Sequence, residues 1–207
     1  MTEEHTARTF YFIGNDLGLD FINTQIVAEG HPVDLLTSFA DLMAWLVEAK
    51  VLDGQQAKDL VAAWGGRPEA EQALARALEF RGLLRQMVER LVQGKPVPPA
   101  TITSINDLLN NQVSYAEVRR TRGGFEKRIH ANFTEPEHLL LPIAESAGNL
   151  LCYGDFSRIK KCQNAVCVLF FYDTTKNHSR RWCSMSACGN RMKVAAHYRR
   201  LRRAKAD

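Results

Sequence analysis

No apolar run in the 207-residue sequence approaches the ~20 residues that a membrane-spanning helix needs. The first residues, Met1-Thr2-Glu3-Glu4-His5, lack the basic-then-apolar order of a secretory signal. The expectations are therefore no membrane partner and a cytoplasmic location, where thiols stay reduced and cysteine clusters bind metal more often than they form disulfides. Cysteine is nearly absent from most of the chain. Of five in all, only Cys152 lies before residue 162, and it ends an apolar helical run as an expected small core residue. Acidic residues are scarce in the last quarter: residues 155–207 carry 13 Lys+Arg against 3 Asp+Glu, whereas the remainder carries 14 against 20. Repeats and low-complexity tracts are lacking, and no nucleophile, base and orienter stand together, so no enzyme is expected.

The scarce cysteines are concentrated in one place. Cys162 and Cys167 form one C-x4-C pair, Cys183 and Cys188 a second, with fifteen residues between the pairs. Two short-spaced thiolate pairs suit a tetrahedral zinc ion, each pair wrapping one side. Four cysteine ligands leave no open position, so such an ion shapes the chain and performs no reaction. Val168 to Tyr172 reads as a strand, Asp173 to Asn177 as a turn, and Arg181-Trp182-Cys183 as the returning strand. A helix from Lys193 to Arg203 follows. The order is treble-clef-like or ribbon-like. A basic tail on a mildly acidic body is the footprint of a polyanion partner, although a solvated end or an acidic-lipid patch would look the same. The zinc scaffold beneath it favours nucleic acid.

Cys188-Gly189-Asn190-Arg191, with the cysteines before it, resembles the CGNR zinc finger of bacterial stress-induced transcription regulators. Leu17-Gly18-Leu19-Asp20-Phe21-Ile22-Asn23-Thr24 is similar to the L-x-L-D-F-x-N-T pattern of its usual companion, the helical ABATE domain. The resemblance implies a DNA-binding finger joined to a domain with a sensory role. The expected fold is α+β and mainly helical: a multihelical N-terminal domain with a β-hairpin over 1–153, then a small zinc-bound module over 154–207 ending in a basic helix.

The chain before the finger reads mostly as amphipathic helices. If Leu19 to Ile26 is helical, Asp20, Asn23 and Thr24 share a face, which either anchors a ligand or bonds to neighbouring backbone. Ser38 caps a helix with Leu42, Trp45 and Leu46 inside. A short helix spans Gln55 to Trp64, and the longest runs from Glu69 to Gln93, ended by Gly94. Arg81 sits at the edge of its apolar stripe, available to a ligand anion or an internal salt bridge. Ile102, Ile105, Leu108 and Leu109 mark a further helix, ending near Asn110-Asn111. Val113 to Arg119 and Phe125 to His130 flank Arg122-Gly123-Gly124 as a hairpin. A last helix begins at Pro136, with a kink at Pro142, or begins only at Pro142.

In the final helix, Val194, Tyr198 and Leu201 form a stripe expected to pack on the finger's hairpin, with Arg191 on the same side. Lys193, His197 and Arg200 share another face. With Arg199 and Arg203 beside them, and Arg180 and Arg181 from the strand, they are the candidate DNA contacts. Asp20, Asn23 and Arg81 are the candidate ligand contacts, and neither an effector nor a homodimer conflicts with the sequence. His178 and His197 are surplus to a four-cysteine site. Two rival functions are an RNA- or protein-binding module with structural zinc, and a metal-dependent nuclease of the kind that some treble-clef proteins build from His and Asn. A complete histidine pair for the second is not evident.

Overall fold

Helix α4 (Pro68–Val92) is the axis of the body. Pro68 starts it in the first turn, where a missing N–H costs nothing, and Glu69 and Glu71 meet the positive end of its dipole. Gly94, at φ 67°, turns the chain away beyond its end. Its stripe of Ala77, Phe80, Leu84, Met87 and Val88 is buried. Around it lie α1 (Leu17–Ile22), α2 (Phe39–Glu48), α3 (Gly54–Trp64), α5 (Pro99–Asn110) and α6 (Leu141–Tyr153). Ser38 caps α2 by accepting from the Asp41 N–H at 3.1 Å, and Asp53 with Gln56 closes a capping box on α3. Trp45 is fully buried, its ring 5.1 Å from that of Phe21. The computed structural model describes residues 9–110, 114–131 and 133–203, so Met1 to His5, Asn111 and Val113 lie outside them.

Three antiparallel hairpins complete the fold: β1 (Gln25–Ala28) with β2 (His31–Asp34), β3 (Ser114–Thr121) with β4 (Gly124–Ala131), and β5 (Ile159–Lys161) with β6 (Phe170–Tyr172). The β3–β4 hairpin follows the sequence expectation, turning at Arg122 and Gly123, with Gly124 at φ 139° opening β4. At Pro136 both sequence readings meet. A 3₁₀ turn runs Pro136–Leu140, and α6 opens at Leu141 with Pro142 in its first turn.

Four expectations need correction. Leu19 to Ile26 is not one helix: α1 has six residues, Asn23 caps it, and Ile26 and Val27 enter β1. The β-branched pair suits a strand, and Glu29 and Gly30, both at positive φ, turn it back. Arg181 to Cys183 is no strand. The partner of β6 is β5, upstream of the first cysteine pair, so Cys162 to Cys167 forms the loop of that hairpin. The final helix, α7 (Asn190–Arg203), does not pack on the hairpin, since Val194 and Tyr198 are 54% and 61% exposed. Cys152 is exposed near the end of α6 and is no core residue.

The hairpin β5–β6 is built into the body. Ile159 and Phe170 are buried in the same core as Phe21, Trp45 and Phe80, while Ile13 and Ile26 of the body pack against the finger's cluster of Leu169, Phe171 and cysteines. Along β6, Phe171 pairs with Lys160 of β5, which leaves the N–H and C=O of Phe170 and Tyr172 facing the other way. The body meets both. Asn23 accepts from the Phe170 N–H at 2.9 Å and donates to its C=O at 2.8 Å. Gly14 O accepts from the Tyr172 N–H at 2.7 Å, and Asn15 Nδ2 donates to the Tyr172 C=O at 2.9 Å. The stretch around Asp20 thus serves as a surrogate strand for β6.

Candidate metal centre and nucleic-acid interface

The loop between β5 and β6 carries Cys162 and Cys167 to one side of a point in space. The chain from Arg181 brings Cys183 and Cys188 to the other. All four Sγ atoms lie within 4.8 Å of one another, and Cys162, Cys183 and Cys188 are buried. A tetrahedron of Zn–S bonds near 2.3 Å requires sulfurs about 3.8 Å apart. Cys167 and Cys183 stand at 3.8 Å. The donor set is all thiol, so the residues present fit zinc in number, softness and spacing. The protein is a zinc protein, and these four cysteines are the set that fits the ion.

Second partners hold the sulfurs in place. Asn164 Nδ2 donates to Cys188 Sγ at 3.3 Å, and the N–H groups of Cys183 and Asn164 point at Cys162. Without an ion the thiols share protons unevenly. A hydrogen bond from Cys183 holds Cys167 down at about 5, and the same bond pushes Cys183 up, with burial adding to it. Zinc takes the place of the retained protons, so loading releases acid. Asn164 carries no motif signal in the sequence. Its position inside the first pair is the only hint.

A second brace shapes the turn beyond β6. Asp173 is fully buried. Burial alone would raise its pKa, yet bonds from Lys160 at 2.7 Å, the Thr175 hydroxyl at 2.6 Å and N–H, and the Arg180 N–H hold it well below the usual carboxylate range. His178 is in this turn, with Nε2 3.0 Å from Arg158 Nη2, and is not among the clustered ligands.

The candidate DNA residues separate into two groups. Arg180 faces inward: its guanidinium lies 4.0 Å from the Phe171 ring centroid and donates to the carbonyls of Ile13 (2.8 Å), Trp182 (3.1 Å) and Cys183 (2.6 Å). Arg181 is exposed, stacked 5.2 Å from the Trp182 ring and donating to Gln163. Ser184 accepts from the Ala187 N–H, and a π-helical turn over Met185–Gly189 delivers Cys188 and runs straight into α7. Lys193 and His197 are exposed on α7 one turn apart, with Arg200 one turn further along the same backbone face. The side chains of Arg199, Arg200, Leu201 and Arg203 lie outside the described residues. Helix α7 has six Lys or Arg and no acidic residue.

The candidate ligand residues are all bonded internally. Asn23 holds Phe170, as above. Arg81, 2% exposed, pairs both Nη atoms with Asp34 and reaches Thr24 Oγ1 at 2.8 Å. Asp20 accepts from the Gly14 N–H at 2.7 Å, and burial raises its pKa to about 6. Arg85, unremarked in the sequence, reaches across to the Val168 carbonyl at 3.0 Å. The Asp20 value has a measurable consequence. An unfolded Asp ionises near pH 4, so between about pH 4 and pH 6 the folded state keeps a proton that the unfolded state has lost, and stability falls as pH rises. Asp20→Asn removes this dependence. In urea titrations the variant should gain on the order of 1 kcal/mol over the parent between about pH 5 and about pH 7.5. A difference independent of pH would contradict the assignment.

Comparison with known families fits this geometry. Residues 15–154 match the ABATE family model, described as "putative stress-induced transcription regulator", and residues 158–201 match the CGNR zinc finger. No curated protein matches the chain. No helix among the described residues is long and apolar enough to cross a membrane.

Proposed function

The chain belongs to the ABATE family and ends in a CGNR zinc finger, and from that premise we propose that it regulates transcription by binding DNA through α7. The observation that carries the reading is the placement of this helix. It starts two residues after Cys188, the last cysteine of the metal centre, carries six cationic residues and no acid, and leaves Lys193 and His197 open to solvent. A helix fixed at its N-terminal end, with Lys193, Val194, His197 and Tyr198 exposed, is shaped for a major groove. Lys193 and Arg200 neutralise phosphates and His197 meets the groove floor. Arg181 contributes a phosphate contact from the far side of the metal centre, whereas Arg180 acts as a brace. The protein binds without catalysing a reaction of its own.

Selection from random duplexes should enrich one sequence family. Lys193→Ala and Arg200→Ala should each lower affinity severalfold and reduce the slope of log K against log salt by about 1. Zinc content should stay at one ion per chain. Unenriched pools, or tighter binding of single-stranded RNA than of any duplex, would favour an RNA-binding module instead.

A further inference from the structure

Body and finger do not meet flush. A cavity of about 310 Å³ lies along their seam. Tyr11, Ile13 and Val27 line it from the body, Val166 and Val168 from the finger, and Arg191 stands at one side. Cys167, Cys183 and Cys188, three of the four metal ligands, also line it, so the cavity borders the metal centre. The volume far exceeds what one ion at about 2.3 Å from sulfur requires. The lining contains no Asp or Glu. Arg191 is exposed and has no hydrogen bond or ion pair among the described residues. The neighbouring cleft around Pro32 differs in this respect, because its arginine, Arg85, is already paired with Glu89 at 3.3 Å.

We propose that this seam is a binding site for a small apolar carboxylate. The apolar walls take a ring or short alkyl chain. The planar guanidinium of Arg191 takes the carboxylate through two parallel hydrogen bonds. The size is at the small end of ligand sites, which excludes nucleotides and other large anions. Such a ligand touches both modules at once, so it binds only when β6 is seated on the body. Its presence would stiffen the finger at the residue that begins α7's outward course. The proposal does not depend on DNA binding.

Calorimetric titration of the zinc-loaded full chain, without DNA, tests it with 2-naphthoate, octanoate and 2-naphthamide as probes. At least one carboxylate should bind, and 2-naphthamide should bind about tenfold more weakly than 2-naphthoate or not at all. Arg191→Gln should bring 2-naphthoate down to the level of the amide. Val166→Trp, which fills the cavity from a position 56% exposed, should abolish binding of every probe. Zinc content measured on each variant shows that the finger is intact. Absence of binding by both carboxylates up to millimolar concentration overturns the proposal. So does equal binding of acid and amide, or binding of 2-naphthoate unchanged by Arg191→Gln.

Discussion

Removal of zinc should unfold the finger. Among the described side chains from 162 to 198, the large apolar ones buried are Leu169, Phe170 and Phe171, too few to offset the conformational entropy of the finger. Structural zinc supplies on the order of 10 kcal/mol in small fingers, and that is the scale of what chelation withdraws here. Cys188→Ser should have a similar effect, because it deletes a ligand and the sulfur that Asn164 Nδ2 meets at 3.3 Å. The body is expected to survive both changes, with its helical circular dichroism retained. Amide exchange should become fast across 162–167, 174–189 and in α7, whereas Phe170 and Tyr172, bonded to the body, keep their protection. Unchanged protection there after complete zinc removal would show that the finger is held by something other than the ion.

The second large effect is expected at Asn23. Its amide satisfies both the N–H and the C=O of Phe170, and both bonds are buried. Asn23→Ala leaves two buried backbone groups without partners, at roughly 1–3 kcal/mol each, for a loss of about 3 kcal/mol. Asn23→Asp is the informative companion. It can still accept from the Phe170 N–H but turns an oxygen toward the Phe170 carbonyl, so it should be no better than alanine at neutral pH. Zinc should remain bound in both, since Asn23 touches no ligand. A loss confined to a few tenths of a kcal/mol would mean that β6 is held by packing alone.

The metal centre was legible in the sequence because its chemistry is local: four cysteines at two short spacings admit few other readings. Helices α2, α4 and α5 were legible because their apolar periods are long, with Ser38 capping α2 and Pro68 and Gly94 bounding α4. What escaped has a common cause. Asn23 and Phe170 lie 147 positions apart, and no spacing rule links them, so of the two readings of this polar face the sequence offered backbone bonding but not the distant strand edge that Asn23 meets. The β5–β6 pairing was missed because Ile159 to Lys161 is a three-residue strand, too short to show alternation. Arg180 and Arg181 look alike in sequence. The Phe171 ring and the carbonyls of Ile13, Trp182 and Cys183 draw one inward. The α7 stripe was read as inward-facing by period, but a period says that a face is apolar and not that a neighbour covers it.

The sharpest test is fluorescence anisotropy of a labelled genomic duplex titrated with the full chain across a salt series, before and after chelation of zinc. The zinc-loaded protein should bind at low salt, with log K falling linearly as log salt rises by about 0.9 per phosphate neutralised, and chelation should abolish binding. No binding at the lowest salt, or equal affinity with and without the metal, would contradict a zinc-fixed basic helix as the element that meets DNA.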